Sequence, residues 1–355
     1  MPGVGETYWP EGDCGPLQVP VKFPRMPANP SPLTAPTAED LSAWYRVQSA
    51  ALAHDRPGEP VPSQAAVRAG LTTTGSSRRL VLWLLRGSAD EPVATAVLRL
   101  SGTAAEGTPG PPAEVQMTVH PAHRRLGTGS RLLATVTEAA TAAGCGTLSA
   151  EAVAGTPGEG FLATRDFVPV TRLTWQRLAL DGIPGGIGEL PDVPHPGYRL
   201  TAWEGAAPDT LTDGFAGALR GLPATAADAG DFRWDPAAVH ETAELAARRG
   251  DRLLTVAALH DDGDVAGYTT VLLPADGARR AHQYDTAVVP AHRGHGLALW
   301  MKSEMLRRLP AAQPDLAEIH TGVPDDSRHL LAVNTTLGFR PLRRTVRFRL
   351  RLRRR

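Results

Sequence analysis

Two short stretches of this 355-residue chain carry the residue types that bind anions. Val288 to Lys302 reads VVPAHRGHGLALWMK, and Val119 to Leu133 reads VHPAHRRLGTGSRLL. Each is an apolar strand, a proline, a basic glycine-rich turn and then a helix. The first-turn N–H groups of a helix have no internal partners, and the helix dipole adds partial positive charge there. Glycines let the preceding loop curl until several N–H groups converge, which makes a seat for phosphate or pyrophosphate. The two loops are Arg293-Gly294-His295-Gly296-Leu297-Ala298 and Arg124-Arg125-Leu126-Gly127-Thr128-Gly129. Neither is followed by the Gly-Lys-Ser/Thr of a P-loop. Neither spaces three glycines as a dinucleotide fold does, and antiparallel hairpins precede both.

The elements that must position these loops occur twice. In the first half, a helix over TAEDLSAWYRVQSAALAHD, capped by Thr37, precedes strands RLVLWLLRG, PVATAVLRLSG and AEVQMTVHP. The loop and its helix follow, then strand TLSAEAV, a short helix near GEGFLATRD and strand VPVTRLTWQRLAL. In the second half, strand YRLTAWEG and two helices precede the hairpin RLLTVAALHDDGDVAGYTTVLL. Strand HQYDTAVVP, helix LALWMKSEMLRRL, strand LAEIHTGV, helix SRHLLAVNTTLG and strand RPLRRTVRFRLRL complete it. Letters repeat too. PAHR stands at Pro121 and Pro290, LTA at Leu33 and Leu200, and DFVPVTR at Asp166 parallels GFRPLRR at Gly338. A unit this long is a whole domain, since solenoid repeats run to roughly 20–50 residues. The expected organisation is an extended arm (1–31), a first domain (32–180), a Gly- and Pro-rich linker (181–197) and a second domain (198–355).

Composition narrows the function classes. Formal net charge is zero, so bulk charge points to neither nucleic acid nor membrane. Cys14 and Cys145 form neither a disulfide framework nor a metal-ligand spacing, and no metal is expected. The N-terminus lacks a signal-peptide pattern and there is no long apolar run, so the expected location is cytoplasmic. Only Lys22 and Lys302 are lysines, against 35 arginines.

Both loops fit R-x-x-G-x-G/A, and with the element order around them the chain resembles the GNAT superfamily of N-acetyltransferases. The likeness is densest in QYDTAVVPAHRGHGLALWMK, Gln283 to Lys302, and Leu337-Gly338-Phe339 before the last strand is typical. The tandem arrangement is similar to the actinobacterial, mycothiol synthase-like type. The resemblance implies an α/β (α+β) fold of two tandem GNAT-like domains, each a mixed, largely antiparallel twisted sheet flanked by helices. It also implies acetyl-CoA or another acyl-CoA as co-substrate. Val288 and Val289 would pair with pantetheine as an added strand does, and Arg293, Gly294, His295, Gly296, Leu297 and Ala298 would hold the pyrophosphate. Val119, His120, Arg124, Gly127 and Gly129 map to the same roles in the first half. Many family members carry a tyrosine acid in the helix before the last strand. Asn334 stands there in the second half, where it can bond the pantetheine arm, and Leu162 in the first. The second half is therefore expected to be active and the first a degenerate copy.

The candidate catalytic groups are Asp285, His320, His282 and Tyr284. Strand alternation would put His282 and Tyr284 on one face and Gln283 and Asp285 on the other. Aspartate is depleted in strands, so Asp285 needs partners or a raised pKa. Phe232, Arg233 and Trp234 are candidates to shape an acceptor pocket. The expected reaction is transfer of an acyl group from CoA to a small-molecule amine by a monomer or homodimer. One alternative is an aminoacyl group taken from tRNA, suggested by the nine arginines of residues 340–355. The other is a non-catalytic CoA-binding tandem.

Overall fold

The computed structural model describes residues 30–73, 78–101, 110, 112–220, 234–275 and 278–352. The expected arm falls almost wholly outside them, as do Phe232 and Arg233. Helix α1 (Ala38–Asp55) begins where Thr37 predicts. Its hydroxyl accepts from Asp40 N, and the Asp40 carboxylate accepts from Thr37 N, so two orphan donors of the helix end are satisfied together. A short helix, α2 (Gln64–Thr72), capped by Ser63, had no counterpart in the sequence reading. Strands β1 (Arg78–Arg86), β2 (Pro92–Ser101) and β3 (Pro112–Val119) form a meander, followed by α3 (Thr128–Ala142), β4 (Thr147–Val153), α4 (Pro157–Ala163) and β5 (Val168–Ala179). The second half runs β6 (Tyr198–Glu204), α5 (Asp209–Arg220), α6 (Pro236–Arg248), β7 (Arg252–His260), β8 (Val265–Leu273) and β9 (Arg280–Val288). It continues through α7 (Leu297–Ala312), β10 (Glu318–Pro324), α8 (Arg328–Thr336) and β11 (Arg340–Arg351). The repeat of LTA is structural: Leu33 bridges β1 as β6, which holds Leu200, pairs with β7.

All eleven strands belong to one sheet in the order β1-β2-β3-β4-β11-β5-β10-β9-β8-β7-β6. The last strands of the two halves are exchanged. β11 lies against β4 of the first half, β5 lies against β10 of the second, and the two pair with each other. Val346 and Phe348 of β11 are thereby buried in the first-half core, and Leu178 of β5 in the second. Among the described residues only β3–β4 and β9–β10 pair parallel, one such pair in each half.

The glycine- and proline-rich connection is packed rather than free. Ile187 is buried, Trp300 of α7 donates its indole N–H to the Pro191 carbonyl at 3.0 Å, and the His195 ring stacks on Trp300 at 4.1 Å.

Simple alternation fails in β9. Thr269 of β8 pairs with Thr286, but Val271 pairs with Gln283, so β9 bulges at Tyr284–Asp285. One extra residue turns Gln283 and Thr286 to the same side, where both reach the Thr269 hydroxyl. The expectation that Asp285 shares a face with Gln283 is corrected accordingly. Asp285 stands near Tyr268, on the α5 face. The corresponding β2–β3 register in the first half runs without a shift.

Candidate active site

Each helix that follows a loop starts at a left-handed glycine: Gly127 (φ 80°) caps α3 and Gly296 (φ 73°) caps α7. Gly294 (φ 86°) is also left-handed, and Arg125, at the equivalent place in the first half, adopts φ 65°. A non-glycine residue rarely accepts that conformation, so the curl of the loop is imposed by its surroundings. The same tether fixes both turns. Arg293 Nε donates to the Val288 carbonyl at 3.2 Å, and Arg124 Nε to the Val119 carbonyl at 3.1 Å. No backbone hydrogen bond among the described residues uses the N–H groups of 125–129 or 294–298. These free donors at a helix N-terminus fit the diphosphate of a CoA thioester.

The parallel strands part just ahead of the loops. β3 and β4 are paired from Pro112↔Thr147 only to Val115↔Ala150, and β9 and β10 from Arg280↔Glu318 only to His282↔His320. Beyond these points each pair presents unpaired edges to a wedge between the strands. In the first half the wedge opens into a cavity of about 1040 Å³ that reaches from Gly127 and Gly129 past Val119 and Val153 to Tyr45 of α1. A Cβ at Gly129 would come within 3.2 Å of the Phe161 ring, so the small residue keeps α3 and α4 close. Arg165 is a cation at this mouth that the sequence reading missed: it bonds Ser130 Oγ at 2.6 Å and stacks on Phe161. Arg124, by contrast, is engaged in a two-point ion pair with Asp55 (2.6 and 2.8 Å), and His120 Nδ1 accepts from Ala122 N within the turn. Both therefore hold the loop's shape.

In the second half the bulge puts Asp285, His282 and His320 on the α5 side of the sheet. Asp285 is half-buried, and burial pushes its carboxyl up from the ordinary aspartate value. No hydrogen bond or ion pair reaches that carboxyl among the described residues. The nearby Tyr268 hydroxyl is buried without a partner, and burial followed by the Asp285 charge pushes its pKa up. His320 is 3% exposed and faces His282 across the β9–β10 register, ring centroids 6.2 Å apart. Burial, then Arg280, holds both imidazoles below the usual histidine value. Tyr284 is 55% exposed. Asn334 is fully buried and donates to Gln176 of β5 at 2.7 Å, its Oδ1 left without a hydrogen bond.

Lys302 was visible in the sequence as one of two lysines, but its setting was not. It is 2% exposed, bonds Gln283 Oε1 from beneath the wedge, and lies 5.1 Å from the Phe339 ring. Burial brings its pKa down to about 7. The arginines of β11 are partly engaged within the fold, Arg343 with Glu59 and Arg347 with Glu151.

The model of the acetyltransferase (GNAT) family matches residues 42–159, within the first half. A tandem GNAT protein from the clavulanic acid biosynthesis pathway, solved without acetyl-CoA, is 27% identical. The alignment covers 91% of this chain and 98% of that one, with a TM-score of 0.73. A GCN5-related N-acetyltransferase from Sphaerobacter thermophilus shares the fold at 18% identity and a TM-score of 0.67, over 92% and 97% of the two chains. Saccharomyces cerevisiae N-myristoyltransferase, solved with myristoyl-CoA, shares it at 12% identity and a TM-score of 0.53, over 96% and 84%. No curated protein sequence matches the chain. Among the described residues no group of side chains could hold a metal ion, and no helix is long and apolar enough to cross a membrane.

Proposed function

We propose, from the premise that the chain is a tandem protein of the GNAT acetyltransferase fold, that it moves an acyl group from a CoA thioester to a small-molecule amine, with the chemistry in the second half. The observation that carries this reading is the splayed β9–β10 pair aimed at the open loop 293–298. The loop N–H groups take the diphosphate, and β9 beyond His282, where its pairing with β10 ends, lies alongside pantetheine. The bulge at Tyr284–Asp285 supports placing the acyl carbon there, because it interrupts the β8–β9 ladder and brings Asp285 to that point of β9. Asp285, its carboxyl pushed up by burial, takes the proton of the attacking amine. The C–N bond forms, the C–S bond breaks, and CoA leaves as the thiolate. The first half, with its cavity and equivalent loop, binds a second CoA and lacks the bulge. Glu151, at that cavity, is paired with Arg347.

Calorimetric titration with CoA tests the reading. Two sites per chain are expected, one lost in Gly127→Glu and the other in Gly296→Glu, because each adds a side chain and a negative charge at a left-handed cap. Turnover of acetyl-CoA against an amine panel should vanish only in Gly296→Glu. Retention of both CoA binding and turnover in Gly296→Glu would place the active site elsewhere, and binding without turnover of any amine would leave a CoA-binding protein.

A further inference from the structure

Between the two halves, on the sheet face that carries His282 and His320, positive charge is concentrated beyond what the local carboxylates neutralise. Arg280 and Arg177 both pair with Glu318, and Arg343 pairs with Glu59 through Nη1 at 2.9 Å to each oxygen. Arg56 has only a looser 3.6 Å contact with the already engaged Glu59; burial, then Arg343, disfavours its charge, and the nearby Asp55 is itself taken by Arg124. Four guanidinium groups thus face two carboxylates.

These groups are not spread over open surface. Arg343, Arg280, Glu59 and Glu318 expose between 15% and 19% of their side chains, and Arg343 stacks 4.8 Å from the Trp175 ring. Two buried nitrogens have no hydrogen-bond partner here, Arg343 Nε and His320 Nε2. The latter lies 3.2 Å from Glu318 Oε1, out of line for a hydrogen bond. Buried polar atoms are nearly always satisfied, and half-buried excess cations are costly unless an anion joins them. The place is also apt. Arg56 lines the first-half cavity, and His282 directly precedes Gln283 at the mouth of the second-half wedge.

We infer that this groove between the halves binds an anionic group, a carboxylate or a phosphate, held by Arg56, Arg280 and Arg343 with a hydrogen bond from His320. That the anion belongs to the acceptor amine rests on the acyltransferase reading; the site itself does not. A molecule so held would present its amine toward the bulge at Asp285, on the same face of β9.

Succinate and inorganic phosphate, titrated separately into the full chain saturated with CoA, provide the test. Saturation keeps both anions off the loop sites. One of the two probes should bind once per chain, and which one does so separates a carboxylate from a phosphate site. Arg343→Met, which keeps the stem over Trp175, and Arg56→Gln, the milder change, should each weaken that binding at least about fivefold while CoA affinity at the second-half loop, which neither residue lines, holds. Binding unchanged in both variants, or no binding of either anion to the unmodified chain, would overturn the inference. If CoA fails to bind while the anion still depends on Arg56, the donor reading falls and the anion site stands.

Discussion

A carboxylate set in a β-strand carries its own test. Asp285→Asn keeps the shape and removes the base, so kcat should fall about 100-fold or more while the KM for acetyl-CoA stays within about twofold. A parallel fall in CoA affinity would mean that Asp285 organises the wedge instead. Lys302 makes a second prediction, on stability. In the folded chain its ammonium gives up its proton near pH 7, against an ordinary value of 10.5. Between those values the unfolded chain holds more protons, so stability climbs as pH rises through that window and is lower below it. In urea unfolding followed from pH 6 to pH 10, Lys302→Met should be more stable than the unmodified chain at pH 6 and should flatten the climb. An equal slope in both proteins would mean that Lys302 stays charged. The donors in the loops were legible as residue types, but the role of each was not. Arg124 and Arg293 share one motif, yet only Arg124 meets a carboxylate, because Asp55 comes from the end of a helix 69 residues away.

At the scale of elements, local chemistry was a good guide. Thr37 with Asp40 is a capping signal readable in four letters, and α1 starts there. Thr37→Ala should lower stability by about 1 kcal/mol, measured by denaturant unfolding, since the Asp40 N–H at the helix end loses its acceptor. The left-handed glycines at 127 and 296 follow from the same kind of reasoning. The bulge in β9 does not. Alternation predicts a side for each residue of a strand, but the extra residue appears only in the register against β8. It decides which candidate acids and bases share a face: Asp285 lies on the side of His282 and His320, and Gln283 turns to Lys302 on the other.

The whole molecule is governed by the exchanged strands. Each half finishes the sheet of the other, so Gly182 to Gly197 joins two parts that are incomplete alone. Expressed separately, residues 1–190 and 191–355 should each lack cooperative unfolding, because each would expose an unpaired sheet edge and a core missing Val346 and Phe348, or Leu178. Co-expressed, they should associate and bind CoA. Two independently folded halves would show that the exchange is dispensable. The groove with Arg56, Arg280 and Arg343 exists only because of this arrangement, since it draws on both halves and on β11.

Two features follow from the sequence by itself: two copies of one domain, and a basic glycine-rich turn ahead of a helix in each. These rest on short-range chemistry, in which glycine, proline, charge and apolar period act within a few residues. Tertiary structure alone decided that β11 completes the first half, that Asp285 faces Tyr268, that Asn334 turns to Gln176, and that Lys302 is buried without a counter-charge. Each of these depends on which distant segment supplies the neighbour, and a burial or a pairing has no signature in the residue that undergoes it.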